Sequence, residues 1–307
     1  MSRLRGRYKE SKPLFKVLQW IGAVCLFTII AMVLMVAFQR LAGVSAQNIN
    51  YLKVVQALQS VGVFLLPPLC VAYLWSDEPY RWLHLQKPSS GAVIWGLVPL
   101  SIIVSFPCVN LLTHLNEQLS MPSFLEPLEQ TMKEMELRAQ ELTESFLQVS
   151  SVGGLVVNLI VMAFLAAMGE ELTFRSLLLN SFTSQSFQHG QVERQASAHI
   201  AVWVVAIIFS AFHFQFYGFL PRMLLGAYFG YLLIWTGSVW IPVLAHFTNN
   251  AFAVTASYVV YNNDMDTAWL ETLGTGETLW VGIVSMVLSV IIILYIRNIQ
   301  LMGIKSE

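Results

Sequence analysis

The chain has 307 residues, 56% of them hydrophobic and only 11% Asp, Glu, Lys or Arg, and its formal net charge is −1. Soluble domains carry about 25% charged residues, so the composition excludes a soluble enzyme, and the near-neutral balance offers no basic surface for nucleic acid. Repeated apolar runs of spanning length read instead as one helical membrane domain embedded in a lipid bilayer.

Residues 1–16 form a basic N-terminal segment with Arg3, Arg5, Arg7, Lys9, Lys12 and Lys16 against a single Glu10. The apolar run from Val17 to Phe38 that follows is about 22 residues, longer than the 7–15 of a signal-peptide core, so it reads as a retained helix with a cytoplasmic start. Further runs cover Val54 to Trp75, Gly91 to Leu112, Ser151 to Phe182, Ala198 to Phe214, Leu220 to Trp235, Val239 to Val260 and Leu279 to Ile296. The expected fold is therefore all-α, a polytopic bundle of about eight transmembrane helices. Alternation from a cytoplasmic start puts Arg81, Lys87, Arg194, Arg297 and Lys305 inside. It puts outside the acidic stretch holding Glu117, Glu126, Glu129, Glu134, Glu136, Glu141 and Glu144, with Asp264, Asp266 and Glu271. Both termini are then cytoplasmic.

Pro67, Pro68, Pro99 and Pro107 are expected to kink the second and third spans, because proline removes a helix hydrogen bond. Between the third and fourth spans, residues 116–148 are too polar to cross. Leu125, Leu128, Met132, Met135, Leu142 and Phe146 recur there at near-helical spacing, which predicts one or two amphipathic helices, solvated or acting as a lid over the domain. Cys25, Cys70 and Cys108 fall within apolar runs and read as buried free thiols rather than disulfides or metal ligands. Arg222, after Pro221, reads as a snorkelling interface residue, with a substrate contact as the alternative. Ser238 reads as a helix cap, and Trp203, Trp235 and Trp240 as an aromatic belt.

Charge inside an apolar run needs a reason, since each ionised side chain there costs about 2.5–3.5 kcal/mol on insertion scales. The stretch from Gly169 to Asn180 holds Glu170, Glu171 and Arg175. Glu171 and Arg175 are four apart and share a helical face as an ion pair should, which leaves Glu170 the freer carboxylate. An interfacial helix end reaching water is the bland alternative. Two histidines lie in later runs, His213 in Phe209-Ser-Ala-Phe-His213 and His246 in His246-Phe-Thr-Asn-Asn250, where His246 and Asn250 share a face. Together these supply a carboxylate, two imidazoles and an amide, enough for a general base, an acid and an oxyanion stabiliser. There is no His-Glu-x-x-His zinc motif and no Gly-x-Ser-x-Gly nucleophile elbow, and Gly274-Thr-Gly-Glu277 has Glu where an aspartyl site needs Asp. A carboxylate that activates water remains.

Glu170-Glu171-x-x-x-Arg175, Phe209-x-x-x-His213 and His246-x-x-x-Asn250, in that order on three spans, resemble the three motifs of the CPBP family. That family includes type II CAAX prenyl endopeptidases and bacteriocin-processing or immunity proteins of bacteria. The resemblance covers about residues 151 to 260. It implies a glutamate-dependent intramembrane peptidase with no obligatory metal or cofactor, in a bacterial inner membrane, acting on a prenylated C-terminus or a leader peptide. Glu170, helped by His213, would polarise water. His246 and Asn250 would stabilise the oxyanion, Glu171 and Arg175 would be the supporting pair, and Phe209 would pack beside the site. Domain limits follow: 1–16, helices one to three in 17–115, the acidic segment 116–148, the catalytic core 149–262, and a last helix with its tail in 263–307. Two alternatives stay open: a non-catalytic scaffold or immunity protein binding a peptide in the same cavity, and a hydrolase holding a divalent ion with Glu170, His213 and His246. Counting about 1.5 Å per residue puts Glu170 and His246 in the inner half and His213 deeper, which predicts a cavity facing the cytoplasm.

Overall fold

The computed structural model describes residues 4–88, 91–119, 122–184, 191–266 and 268–303. Arg3 and Lys305 lie outside them, as do the side chains of Leu125, Arg194 and Glu271. All regular structure among the described residues is helical. The long helices are α1 (Pro13–Ala42), α2 (Ile49–Trp75), α3 (Ala92–Glu117), α4 (Glu126–Leu147), α5 (Val152–Thr183), α6 (Gln191–Ala211), α7 (Phe219–Thr236), α8 (Trp240–Asn262) and α9 (Leu279–Gly303).

Among the described residues six helices, α1, α2, α3, α5, α7 and α9, are long and apolar enough to cross a membrane, so the count of eight is not confirmed. The two that fall short do so for stated reasons. The apolar part of α6 is the shorter stretch Ser197–Ala211. Helix α8 is 23 residues long, but His246, Asn249 and Asn250 in its middle dilute its hydropathy. The polar groups that make a site thus cost the span its apolar signature.

Gly6 and Tyr8 donate backbone N–H groups to the carbonyls of Tyr73 and Leu74, which ties the N-terminal segment to the end of α2. The same end of the domain, the terminal face, carries the α7–α8 turn, where Gln86 donates its amide to Gly237 O at 2.9 Å. At the opposite face Asn116, near the end of α3, donates to Phe216 O at 2.8 Å and accepts from the Leu220 backbone N–H at 2.9 Å. This double bond fixes the α6–α7 connection, residues 212–218. The residues 122–148 form one helix, α4, preceded by a short 3-10 turn over Ser123–Leu125. It docks on that connection through Glu136, which accepts from the Tyr217 N–H at 3.2 Å, and Glu129, which accepts from the Tyr217 hydroxyl at 3.2 Å.

Helix α2 and helix α5 both depart from α geometry. Each contains wide π turns, Ser60–Leu65 in α2, and Leu159–Leu165 and Leu172–Leu179 in α5. In α2 the widening precedes Pro67 and Pro68, whose missing N–H groups break the ladder there. In α5 the short α-helical piece Ala166–Glu171 lies between two such segments, and π turns inside α-helices concentrate at functional sites. The two helices touch closely at Gly169, where a Cβ would come 2.9 Å from Phe64 Cβ. Only glycine permits that approach, one residue before Glu170.

Three apolar clusters hold the bundle. One joins α5, α6 and α7 through Leu172, Phe174, Val202, Phe209, Ala227 and Leu233, a second joins α3, α7, α8 and α9 through Ile94, Val98, Phe229, Ile241 and Ile296, and a third joins α2 and α5 through Val71, Trp75 and Leu177. The apolar residues on the outside of α1 and α9 are exposed, as helices facing lipid require. Cys108 is buried and Cys70 half-buried, whereas Cys25 is exposed on the outer surface of α1, so the expected burial fails there. Ser238 does not cap α8 either. Val239 precedes the helix without a side-chain cap bond, and the Ser238 hydroxyl donates to Gln86 O at 2.6 Å.

Candidate active site

The three motif segments converge near the middle of the bundle. Glu171 and Arg175 on α5 are both fully buried, with Arg175 Nε 3.0 Å from Glu171 Oε2. The distance makes an ion pair, although the N–H does not point along the oxygen. Arg175 Nη2 donates to Gly226 O at 3.0 Å, and the guanidinium carbon sits 4.4 Å from the Phe209 ring centroid and 5.5 Å from that of Phe229. Aromatic faces attract a cation, so the arginine is held by a carboxylate, a carbonyl and two rings.

The second oxygen of Glu171 reaches across to α8. His246 Nδ1 lies 2.8 Å from Glu171 Oε1, and since a carboxylate only accepts, that nitrogen carries the proton. His213 Nδ1 is likewise 2.8 Å from Phe209 O, so it also donates there. Each histidine therefore turns its Nε2 toward the same atom: Glu170 Oε2 lies 3.9 Å from His246 Nε2 and 4.0 Å from His213 Nε2. Glu170 Oε2 is itself buried and has no hydrogen-bond partner. Phe209 fixes both rings, meeting His213 edge-on at 5.1 Å and His246 edge-on at 6.0 Å, while Phe229 stacks on His246 at 5.3 Å.

Asn250, one turn beyond His246, donates through Nδ2 to Met162 O at 3.2 Å, and its Oδ1 accepts from Asn249 at 3.1 Å. An amide nitrogen has two N–H groups, so one on Asn250 remains uncommitted. Met162 lies in the first wide segment of α5, where a π turn frees carbonyls from the ordinary ladder.

A cavity of about 280 Å³ joins these groups. Its walls include Glu170, His213, His246, Asn250 and Phe209, together with Asn249 and Arg222. Two expectations need correcting here. His213 is not within α6: the helix ends at Ala211 and His213 lies in the turn after it, ahead of Phe214, whose φ is +53°. Positive φ is uncommon for a bulky side chain and ends a helix sharply. The early stop recesses the α6–α7 connection. With Gly218, Pro221 and Thr113 among its walls, the cavity extends toward the face opposite the chain ends rather than toward the terminal face. Arg222 is the second correction. It lines the cavity instead of snorkelling, because its Nη2 donates to Gln215 Oε1 at 2.6 Å.

Asn249 is a wall residue to which the sequence motifs assign no role. A Cβ on Gly218 would stand 2.7 Å from Arg222 Nη2, so Gly218 leaves the guanidinium its present place. For metals, the described residues contain no group of three or more His, Cys, Asp or Glu side chains arranged to hold an ion.

With that geometry in place, comparison with known families supports a membrane peptidase. Residues 152–252 match the family model of the Rce1-like type II CAAX prenyl endopeptidases. The matched stretch is under half of the chain, begins with the first residue of α5 and ends two residues past Asn250. It takes in all three motif segments, so the CPBP resemblance holds over the part that builds the cavity. No curated protein and no solved structure matches the chain. The Rce1-like family is a protease family, whose substrates are peptides or proteins, and the chain around the match is a membrane protein by its six apolar helices.

Proposed function

We propose that the chain is an intramembrane endopeptidase of the glutamate-dependent kind, in which Glu170 activates the attacking water. One observation carries this reading: Glu170 Oε2 is buried and unbonded, and two imidazole Nε2 atoms face it at 3.9 and 4.0 Å. A gap above 3.5 Å between polar groups is the span of a bridging water. Glu170 takes a proton from that water as its oxygen bonds to the peptide carbonyl carbon, and His213 Nε2 orients the same water by accepting its second hydrogen. The oxyanion forms toward the free N–H of Asn250. His246, held through Nδ1 by Glu171, donates to the oxyanion from Nε2 when that nitrogen carries a proton. The amine then leaves with the proton returned by Glu170, which restores the carboxylate. Glu171 and Arg175 touch no reacting atom and position His246.

The side of entry follows from charge. Arg5, Arg7, Lys9, Lys12, Arg81 and Lys87 lie toward the terminal face, and the acidic helix α4 lies on the opposite one. The positive-inside rule makes the terminal face cytoplasmic; substrate then enters from the extracytoplasmic side.

The test is cleavage of a peptide library by purified protein, read by mass spectrometry. General-base catalysis contributes about 10²- to 10⁴-fold, so Glu170→Gln is expected to lose that much rate while unfolding no earlier than the parent. Equal cleavage by Glu170→Gln sinks the assignment. A chelator titration of the parent separates the metal-dependent alternative, which predicts loss of activity and its return with added divalent ion.

A further inference from the structure

Arg222 is not used by the chemistry above, yet it shares the cavity with Glu170 and His213. Its guanidinium is tethered on one side only. Nη2 is committed to Gln215 Oε1 at 2.6 Å, whereas Nη1 is buried without any hydrogen-bond partner. No carboxylate lies within 4.0 Å of it among the described residues, in contrast to Arg175. A charged group held at membrane depth without an ion pair is costly, and such groups mark functional sites. Gly218 gives the guanidinium its room, and Gln215 fixes the plane of its fork. The arginine is thereby held at the cavity wall, with Nη1 taken by no protein acceptor. Arginine presents paired donors that match a carboxylate.

We propose that Arg222 is a substrate-anchoring residue that binds a carboxylate of the peptide being cut, so that the enzyme selects peptides with an anionic group close to the scissile bond. This rests on the peptidase reading of the cavity. The volume supports closeness: about 280 Å³, just below the 300–1,000 Å³ typical of ligand sites, accommodates only a short peptide segment. An anion held by Arg222 therefore belongs to residues within a few positions of the bond facing Glu170. Such a carboxylate has two sources, the free C-terminus and an Asp or Glu side chain.

Three matched versions of each fluorogenic library peptide distinguish them: a free acid, a C-terminal amide, and an amide with Glu in the last position. Hydrogen bonds to charged groups are worth about 10- to 100-fold. The parent enzyme is expected to show a KM lower by that factor for the free acid than for the plain amide. Recovery by the Glu-amide indicates that a side chain serves equally, and failure to recover indicates the terminus; both support the anchor. Arg222→Gln is expected to erase the preference by raising KM for the acid alone, with kcat little changed, and Arg222→Lys to retain part of it. The parent's own acid-to-amide ratio needs no variant, so misfolding of Arg222→Gln does not block the test. Cleavage of acid and amide with equal KM by the parent overturns this proposal and leaves the peptidase reading standing. An equal fall in kcat on all three versions in Arg222→Gln also overturns it, since the arginine would then act on the chemistry. Absence of cleavage of any version by the parent overturns the peptidase reading and this proposal with it.

Discussion

Removing one charge of the Glu171–Arg175 pair should harm the protein more than removing both. In Glu171→Gln the Arg175 guanidinium stays fully buried with a neutral amide for a partner, and breaking a buried pair in this way costs about 3–5 kcal/mol. Arg175→Met leaves the Glu171 carboxylate in the same position from the other side, with only the His246 N–H to balance it. The double variant takes both charges out of the interior. Its Gln still accepts the His246 proton, and its Met thioether lies against the Phe209 and Phe229 rings that the guanidinium now faces at 4.4 and 5.5 Å, a favourable contact for sulfur. Uncharged replacement of a buried pair is close to neutral, so the double variant is expected to lose less stability than either single one. Equilibrium unfolding by SDS titration in detergent micelles measures all four proteins. Losses that simply add would refute the reasoning, because additivity is the mark of sites that do not touch. Activity should not follow stability back. Without an ionised Glu171 to hold it, His246 is free to shift, and a displacement of about 1 Å at a catalytic group costs about 10²-fold, so the double variant is expected to be stable and slow.

Asn250→Ala removes both the uncommitted N–H and the bond to Met162 O. A fall of about 10²- to 10³-fold in kcat is expected if it serves the oxyanion, against a stability loss of only about 1 kcal/mol; a change in KM alone, seen in steady-state kinetics, would place it in binding instead. Orientation can be read with a single cysteine. In a protein freed of Cys25, Cys70 and Cys108, a cysteine at Glu141 on α4 should react with a membrane-impermeant maleimide added outside intact cells, and one at Lys12 should react only after lysis; the reverse pattern would turn the cavity toward the cytoplasm.

The charged and polar groups of the site were legible because a membrane makes them conspicuous: Glu170, Glu171 and Arg175 stand out in an apolar run, and only a reason of structure or chemistry keeps them there. The pairing of Glu171 with Arg175 followed from spacing alone. What spacing could not show is where a helix stops. Nothing in the apolar run ending at Phe214 announces that α6 breaks off at Ala211, because the break is enforced from outside, by Asn116 of α3 gripping the carbonyl of Phe216 and the N–H of Leu220. The depth count therefore set His213 inside a span and opened the cavity toward the terminal face, whereas Thr113 and Gly218 in its wall lie toward the other. Arg222 was misjudged for the same reason: a residue just past a span reads as interfacial unless the connection before it is recessed. The span count suffered from the opposite bias. Periodicity and length suggested eight helices, but α8 carries enough polar side chains that hydropathy alone does not recognise it.

The wide turns of α5 carry a consequence for how this segment tolerates change in length. Each π turn holds more residues than an α turn, so the run Leu172–Leu179 carries a surplus that an α-helix of equal rise would not. Shortening that run by one residue would let the backbone close into regular α geometry, a locally easier state, with the flanking turns near their present register but the side chains inside the run re-aimed. Arg175 would then leave Phe209, and Ser176 would lose Leu83 O, to which its hydroxyl now donates at 2.7 Å. The surplus works like the offset tooth in a key: regularising it would yield a better helix that no longer fits its lock.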